Sequence, residues 1–206
     1  MVFMKRTIVT TTIVIIMFVF TSCSNSKNNE MKEEVVKQNV NYVTFGKKVF
    51  GIEIGHVTAD KVIKILKMKG IKYNIKYDED FPKVPIIETT YFIGTGIPVE
   101  AIQEVTYYFN PFSGKNDKPD ITITIKNNYF EVMVNKLIKQ FGEPTEKGEQ
   151  NLRVDNKTIK DIYYIWRSSK ESEGTLDFIS LSKYLDDDSE CYILLRPKDI
   201  GCHEVH

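Results

Sequence analysis

Phe130-Glu-Val-Met-Val134-Asn-Lys-Leu137-Ile138-Lys-Gln-Phe141-Gly142-Glu-Pro144 carries apolar side chains at intervals of three and four. That is the period of a helix burying one face. Gly142 and Pro144 stop it. Seventy-two residues earlier the pattern recurs: Val62, Lys64, Ile65, Leu66, Lys67 and Gly70 fall against Val134, Lys136, Leu137, Ile138, Lys139 and Gly142. Thr58 is placed to cap the earlier helix, and Asp60 suits its first turn.

Strand signals surround both helices. Phe50-Gly-Ile52-Glu-Ile54 alternates ahead of the first. Ile71 to Tyr77 (with Ile71, Tyr73, Ile75 and Tyr77 on one side), Ile86 to Ile93, Ala101 to Phe109 and Asp120 to Lys126 follow it. Residues 110–119 are rich in turn formers. After the second helix and a polar stretch, Thr158 to Arg167, Thr175 to Ser182 and Glu190 to Leu195 read as three strands, joined by turns at 168–174 and 186–189. The expected fold is therefore α+β: two helix-plus-antiparallel-sheet repeats, 42–126 and 127–206, packed as one domain.

The N-terminus has a different character. Lys5 and Arg6 precede an apolar run from Ile8 to Phe20 that only Thr10 to Thr12 interrupt, and Phe20-Thr21-Ser22-Cys23 follows. Charge, apolar run and small-residue site in that order describe a secretory signal over 1–22. The run of about 13 residues falls short of the roughly 20 that span a bilayer. Residues 23–41 are polar, without a clear period, and read as a solvated tether.

Phe20-Thr21-Ser22-Cys23 resembles the lipobox of bacterial lipoproteins, with Phe20 standing where leucine is usual. The resemblance implies cleavage before Cys23 and a lipid on its sulfur. Two or more acyl chains hold a protein stably on a membrane, where one does not. Ser24 stands where an aspartate would imply retention at the inner membrane. The expected location is the cell envelope, outside the cytoplasmic membrane, and the outer membrane where a cell has two.

Gly55-His-Val-Thr58-Ala-Asp60-Lys-Val62-Ile-Lys-Ile65-Leu66 is similar to the helix start of the small SmpA/OmlA-type envelope lipoproteins. Leu137-Ile-Lys-Gln-Phe141-Gly142-Glu-Pro144 resembles the ending of the same helices. The tandem arrangement is similar to the β-lactamase-inhibitor-like fold. This covers roughly residues 50 to 195. Gly70 lacks a following proline and the second copy lacks the Gly-x-Thr start, so no functional residue carries over by position.

Composition narrows the function. Apolar residues make up 42% of the 206 and aromatics 12%, enough for a real core; formal net charge is zero. Removing Lys5 and Arg6 leaves the 184 residues from Cys23 at about −2, with no basic excess for nucleic acid. With Cys23 lipidated, Cys191 and Cys202 remain, either bridged outside the cytoplasm or as two thiols.

Catalytic patterns are missing. The three histidines are His56, His203 and His206; there is no Gly-x-Ser-x-Gly and no His-Glu-x-x-His. His56 reads as a solvated loop residue. The tail Cys202-His203-Glu204-Val205-His206 reads as polar chain rather than a metal site. The acidic clusters 78–80 and 186–190 lack EF-hand spacing and read as turns. Gly94-Thr95-Gly96-Ile97-Pro98 lacks the third glycine of a dinucleotide loop. No cofactor and no metal are expected. The strand aromatics Tyr107, Tyr108, Tyr163, Tyr164 and Trp166 are the candidate binding surface, with alternate members pointing to opposite faces. The expected function is a non-enzymatic protein-binding or assembly module held on the membrane by its lipid, its partner a protein or other envelope component. The alternatives are an envelope hydrolase built on His56 and a purely structural lipoprotein.

Overall fold

Thr58 opens the first helix as expected. Its Oγ1 accepts from Lys61 N at 3.2 Å, and α1 runs Ala59–Met68 with Val62 and Leu66 fully buried. The second helix, α2 (Phe130–Phe141), enters through a single 3₁₀ turn, Asn127–Tyr129. It buries Phe130, Met133, Val134 and Leu137. It ends on Gly142 at φ +84°, a left-handed conformation that favours glycine. The computed structural model describes residues 42–77, 79, 81–82, 84–109, 118–154, 157–169, 176–185 and 190–198, with backbone only at 153, 154 and 157. The expected signal (1–22), Cys23, the expected tether, Asp78, Asp80, the expected turn at 186–189 and the tail with Cys202 lie outside them.

Four strands follow each helix. They are β1 (Tyr73–Tyr77), β2 (Pro85–Thr89), β3 (Ile102–Phe109) and β4 (Pro119–Lys126), then β5 (Glu146–Val154), β6 (Lys157–Arg167), β7 (Leu176–Tyr184) and β8 (Glu190–Pro197). They form one sheet in the order β1-β2-β3-β4-β8-β7-β6-β5, and every neighbouring pair is antiparallel. Among the described residues the fold is thus α+β, an eight-stranded antiparallel sheet with two short helices.

Alternation sorts the strand residues onto two faces. Ile87, Val105, Tyr107, Ile121, Ile123, Ile125, Ile193, Leu195, Ile179, Leu181 and Trp166 lie fully buried on one of them. They form a single apolar cluster with the buried residues of α1 and α2. The Phe130 ring meets Tyr164 edge-on at 5.9 Å, which fixes α2 to this side.

Two readings from sequence change. Phe50 to Ile54 is not a strand. Val49 and Ile52 form an isolated bridge across a tight turn in which both Phe50 (φ 49°) and Gly51 (φ 76°) are left-handed, and Ile54–His56 is a 3₁₀ turn. The alternation came from a turn that buries Phe50 and Ile54, not from extended chain. The polar stretch after α2 is a strand, β5, so the second helix is followed by four strands rather than three.

The segment before α1 reaches across the fold. Val43 N donates to Arg167 O at 2.9 Å, and Phe45 meets Phe141 edge-on at 5.2 Å. Gly94 is required where the chain closes on itself: a Cβ there would lie 2.5 Å from both the Phe50 carbonyl oxygen and the Phe92 ring. Lys136 of α2 donates to the Gly96 carbonyl. The 94–98 loop is therefore a joint between the N-terminal turn and α2.

Candidate functional site

The second face of the sheet carries no described helix. Its residues follow from the registers. The middle of β4, β8, β7 and β6 presents Thr122 and Thr124, Leu194 and Tyr192, Ser180 and Ser182, Ile165 and Tyr163. All are half-buried except Thr124, which is buried. This open face is the candidate site.

One end of it is built from charge and an aromatic ring. Arg196 on β8 reaches Asp120 Oδ2 through Nη2 at 3.2 Å and Nε at 3.3 Å. The guanidinium groups of Arg196 and Arg167 both lie over the Phe178 ring, at 5.1 and 5.3 Å from its centre. Arg167 also stands 3.8 Å from Glu146 Oε2. Cations held against a ring face gain from its quadrupole, and weak guanidinium hydration makes arginine suited to the position. The resulting row, Asp120-Arg196-Phe178-Arg167, runs straight across four strands.

The opposite end carries Lys126, Glu190, Tyr184 and Asp161. The Tyr184 and Tyr192 rings pack at 5.3 Å, and the Tyr192 hydroxyl donates to Glu190 Oε2 at 3.1 Å. Asp161 is 2% exposed. Its Oδ2 accepts from Gln150 Nε2 at 2.9 Å, while Oδ1 has no hydrogen-bond partner among the described residues. Burial pushes its carboxyl above the usual carboxylate range, against a smaller lowering by the Gln150 hydrogen bond.

The five aromatic candidates divide between the faces. Tyr108 and Tyr163 lie on the open face, and the Tyr163 hydroxyl donates to Glu146 Oε1 at 3.2 Å. Tyr107, Tyr164 and Trp166 lie on the helix side, Tyr107 and Trp166 fully buried and Tyr164 half-buried. Tyr107 is fully buried: its hydroxyl accepts from Ile93 N at 2.9 Å and donates to Tyr91 O at 3.3 Å, and burial raises its pKa well above the usual phenol range. Trp166 is fully buried and donates Nε1 to Gly142 O at 2.9 Å; Tyr164 packs between it and Phe130. Trp166 thus locks the end of α2 to β6.

Sequence reading missed Phe178, Arg196, Arg167 and Asp161. Their signal was present as the six-residue recurrence within strands: Asp120 and Lys126, Arg196 and Glu190, Phe178 and Tyr184, Arg167 and Asp161. It becomes visible only once strand registers are known.

Other sequence candidates fall elsewhere. His56 is solvent-exposed, 3.5 Å from Glu53 Oε1. Cys191 lies buried on the helix side; its Sγ donates to Asn127 Oδ1 at 3.7 Å, and burial pushes the thiol up to about 11. Its proposed partner Cys202 and the expected lipid site Cys23 lie outside the described residues. Among the described residues, no three His, Cys, Asp or Glu side chains are grouped to hold a metal ion, and no helix is long and apolar enough to cross a membrane. No family model, curated protein or solved structure matches this chain.

Proposed function

We propose that this chain is a lipid-anchored bacterial envelope protein whose open sheet face binds a protein partner without catalysis. The open face carries the reading. It combines Tyr163, Tyr192, Phe178, Ile165 and Leu194 with two arginines, a composition that favours protein interfaces over solvent. The anchor rests on the N-terminal sequence, with Cys23 as the lipidated residue and residues 24–41 giving reach. Membrane attachment is through that lipid, outside the cytoplasmic membrane.

We also infer that the domain is two α+β repeats. The order helix-then-four-strands occurs twice, and the last strand of each set, β4 and β8, pair antiparallel at the centre of the sheet. The aligned residues Val62 to Gly70 and Val134 to Gly142 support the same reading.

Two experiments test the function. Cys23→Ser abolishes labelling by a fatty-acid analogue and releases the protein from membranes; continued labelling overturns the anchor. A photo-crosslinking amino acid at Tyr163 or Leu194 captures a protein in intact cells, whereas one at Lys139 on α2 does not. Equal capture from both sites, or from neither, overturns the open face as the binding surface.

A further inference from the structure

The charges of the open face are arranged antisymmetrically along its central strands. At one end stand Asp120 on β4, Arg196 on β8 and Arg167 on β6; at the other end of the same strands stand Lys126, Glu190 and Asp161. In all three strands the sign reverses over six residues. Between β8 and β6, β7 carries an aromatic ring at each end, Phe178 and Tyr184.

From this pattern we infer that the occupant of the open face is a second copy of this chain, docked face to face about a two-fold axis that runs across the strands. The inference deepens the binding reading above and rests on it. Such an axis lays each strand over its own counterpart with its ends exchanged. Arg167 then meets Asp161 of the second copy, Arg196 meets Glu190, and Lys126 meets Asp120. Phe178 lies over Tyr184. In the middle Leu194 covers Tyr192, Ile165 covers Tyr163, and the small pairs Thr122/Thr124 and Ser180/Ser182 let the sheets approach to the usual ~10 Å. An axis along the strands would set Asp120 over Arg167 and Lys126 over Asp161, but it would lay Arg196 over Phe178 and Glu190 over Tyr184, so two charges would lack an opposite charge; the axis across the strands pairs all six.

The Asp161 carboxylate adds an independent observation. Its Oδ1 is buried and lacks a donor among the described residues. Oδ1 is closed to solvent in the single chain, so neighbouring side chains must shift for the guanidinium of Arg167 from the second copy to reach it; the charge-assisted bond so formed is stronger than a neutral one. The titratable groups on the same face as this carboxylate are few: Tyr163 on its own strand, Tyr184 on β7 and Glu190 on β8, beside its partner Gln150 on β5.

The size sets the strength. Four strands at ~4.8 Å and seven residues at ~3.3 Å give a flat footprint of about 440 Å², and adding β3 and β5 brings it to about 660 Å². That is the scale of a reversible interface rather than an obligate one. Area alone does not fix the affinity, and confinement to a membrane surface favours association.

Sedimentation equilibrium of the detergent-extracted full chain tests the inference. The expected result is a concentration-dependent dimer. Arg167→Glu, which places like charges opposite Asp161, weakens it by tenfold or more; Arg167→Lys retains it. Lys139→Glu on α2, off the face, leaves it unchanged. Unfolding midpoints of all variants identify any that fail to fold, and for these Lys126→Glu, which places like charges opposite Asp120 of the second copy, replaces them with the same expected weakening. A monomer up to hundreds of micromolar overturns the inference, as does a dimer indifferent to Arg167→Glu. A monomer whose open face still crosslinks to a different protein in cells overturns the second copy as occupant and leaves the protein-binding function standing.

Discussion

The stretch from α1 to β4 and the stretch from α2 to β8 cover the same sheet face by unequal means. α2 buries four apolar side chains and is bolted to β6 by the Trp166–Gly142 hydrogen bond. α1 buries only two. On its side irregular chain supplies the remainder: Phe50, Ile54, Val57, Phe92 and Ile97 are all buried. Burial, and not helix, is the physical requirement. A fold meets it with an amphipathic helix where the sequence supplies one, and with tight turns and a left-handed Phe50-Gly51 pair where it does not.

Breaking the α2 side has the largest expected effect. Trp166→Ala removes a fully buried ring that stacks on Tyr164 and strips Gly142 O of its donor, so it costs about 3–5 kcal/mol in urea unfolding. Tyr107→Phe is the corresponding test in the first stretch. It keeps the ring but leaves Ile93 N and Tyr91 O without their shared partner, at about 1–3 kcal/mol in the same measurement. Thr58→Ala removes the side-chain cap of α1 and costs about 1 kcal/mol. Tyr129, the N-cap of α2, makes no side-chain cap bond, so an alanine there changes no such bond.

The smallest change has the opposite sign. The raised carboxyl of Asp161 means that the fold favours its protonated form. The contribution is fully present below the unfolded value of about 3.9 and is lost as pH rises through the folded value. Asp161→Asn therefore stabilises dilute, monomeric protein at pH 7 and removes that part of the decline between acid and neutral pH. Thermal unfolding of both forms at pH 4 and pH 7 measures it; an Asn variant less stable than the parent at both values contradicts the burial argument.

Much of the fold was legible because one period dominated each element. Val62 and Leu66, and Phe130, Val134 and Leu137, recur at helical spacing, and both helices end where glycine allows. Strands β3, β4, β6, β7 and β8 announced themselves by alternation over a buried face. β5 did not, because Glu146 to Gln150 has little apolar surface on either side of an edge strand. The site was less legible still. Tyr107 and Tyr108 look alike in sequence, and which of them is core depends on which face the helices occupy. The Arg196–Phe178–Arg167 row joins three strands, so no local pattern contains it.

The Val43–Arg167 hydrogen bond and the Phe45–Phe141 contact also have a mechanical consequence. A chain tugged at its N-terminal side passes the load first to the end of β6 and the end of α2, in the other stretch of the sequence. The short edge strand β1, which would peel away one hydrogen bond at a time, lies outside the load path. Tension applied there loads β6 and α2 before it reaches the β1 margin.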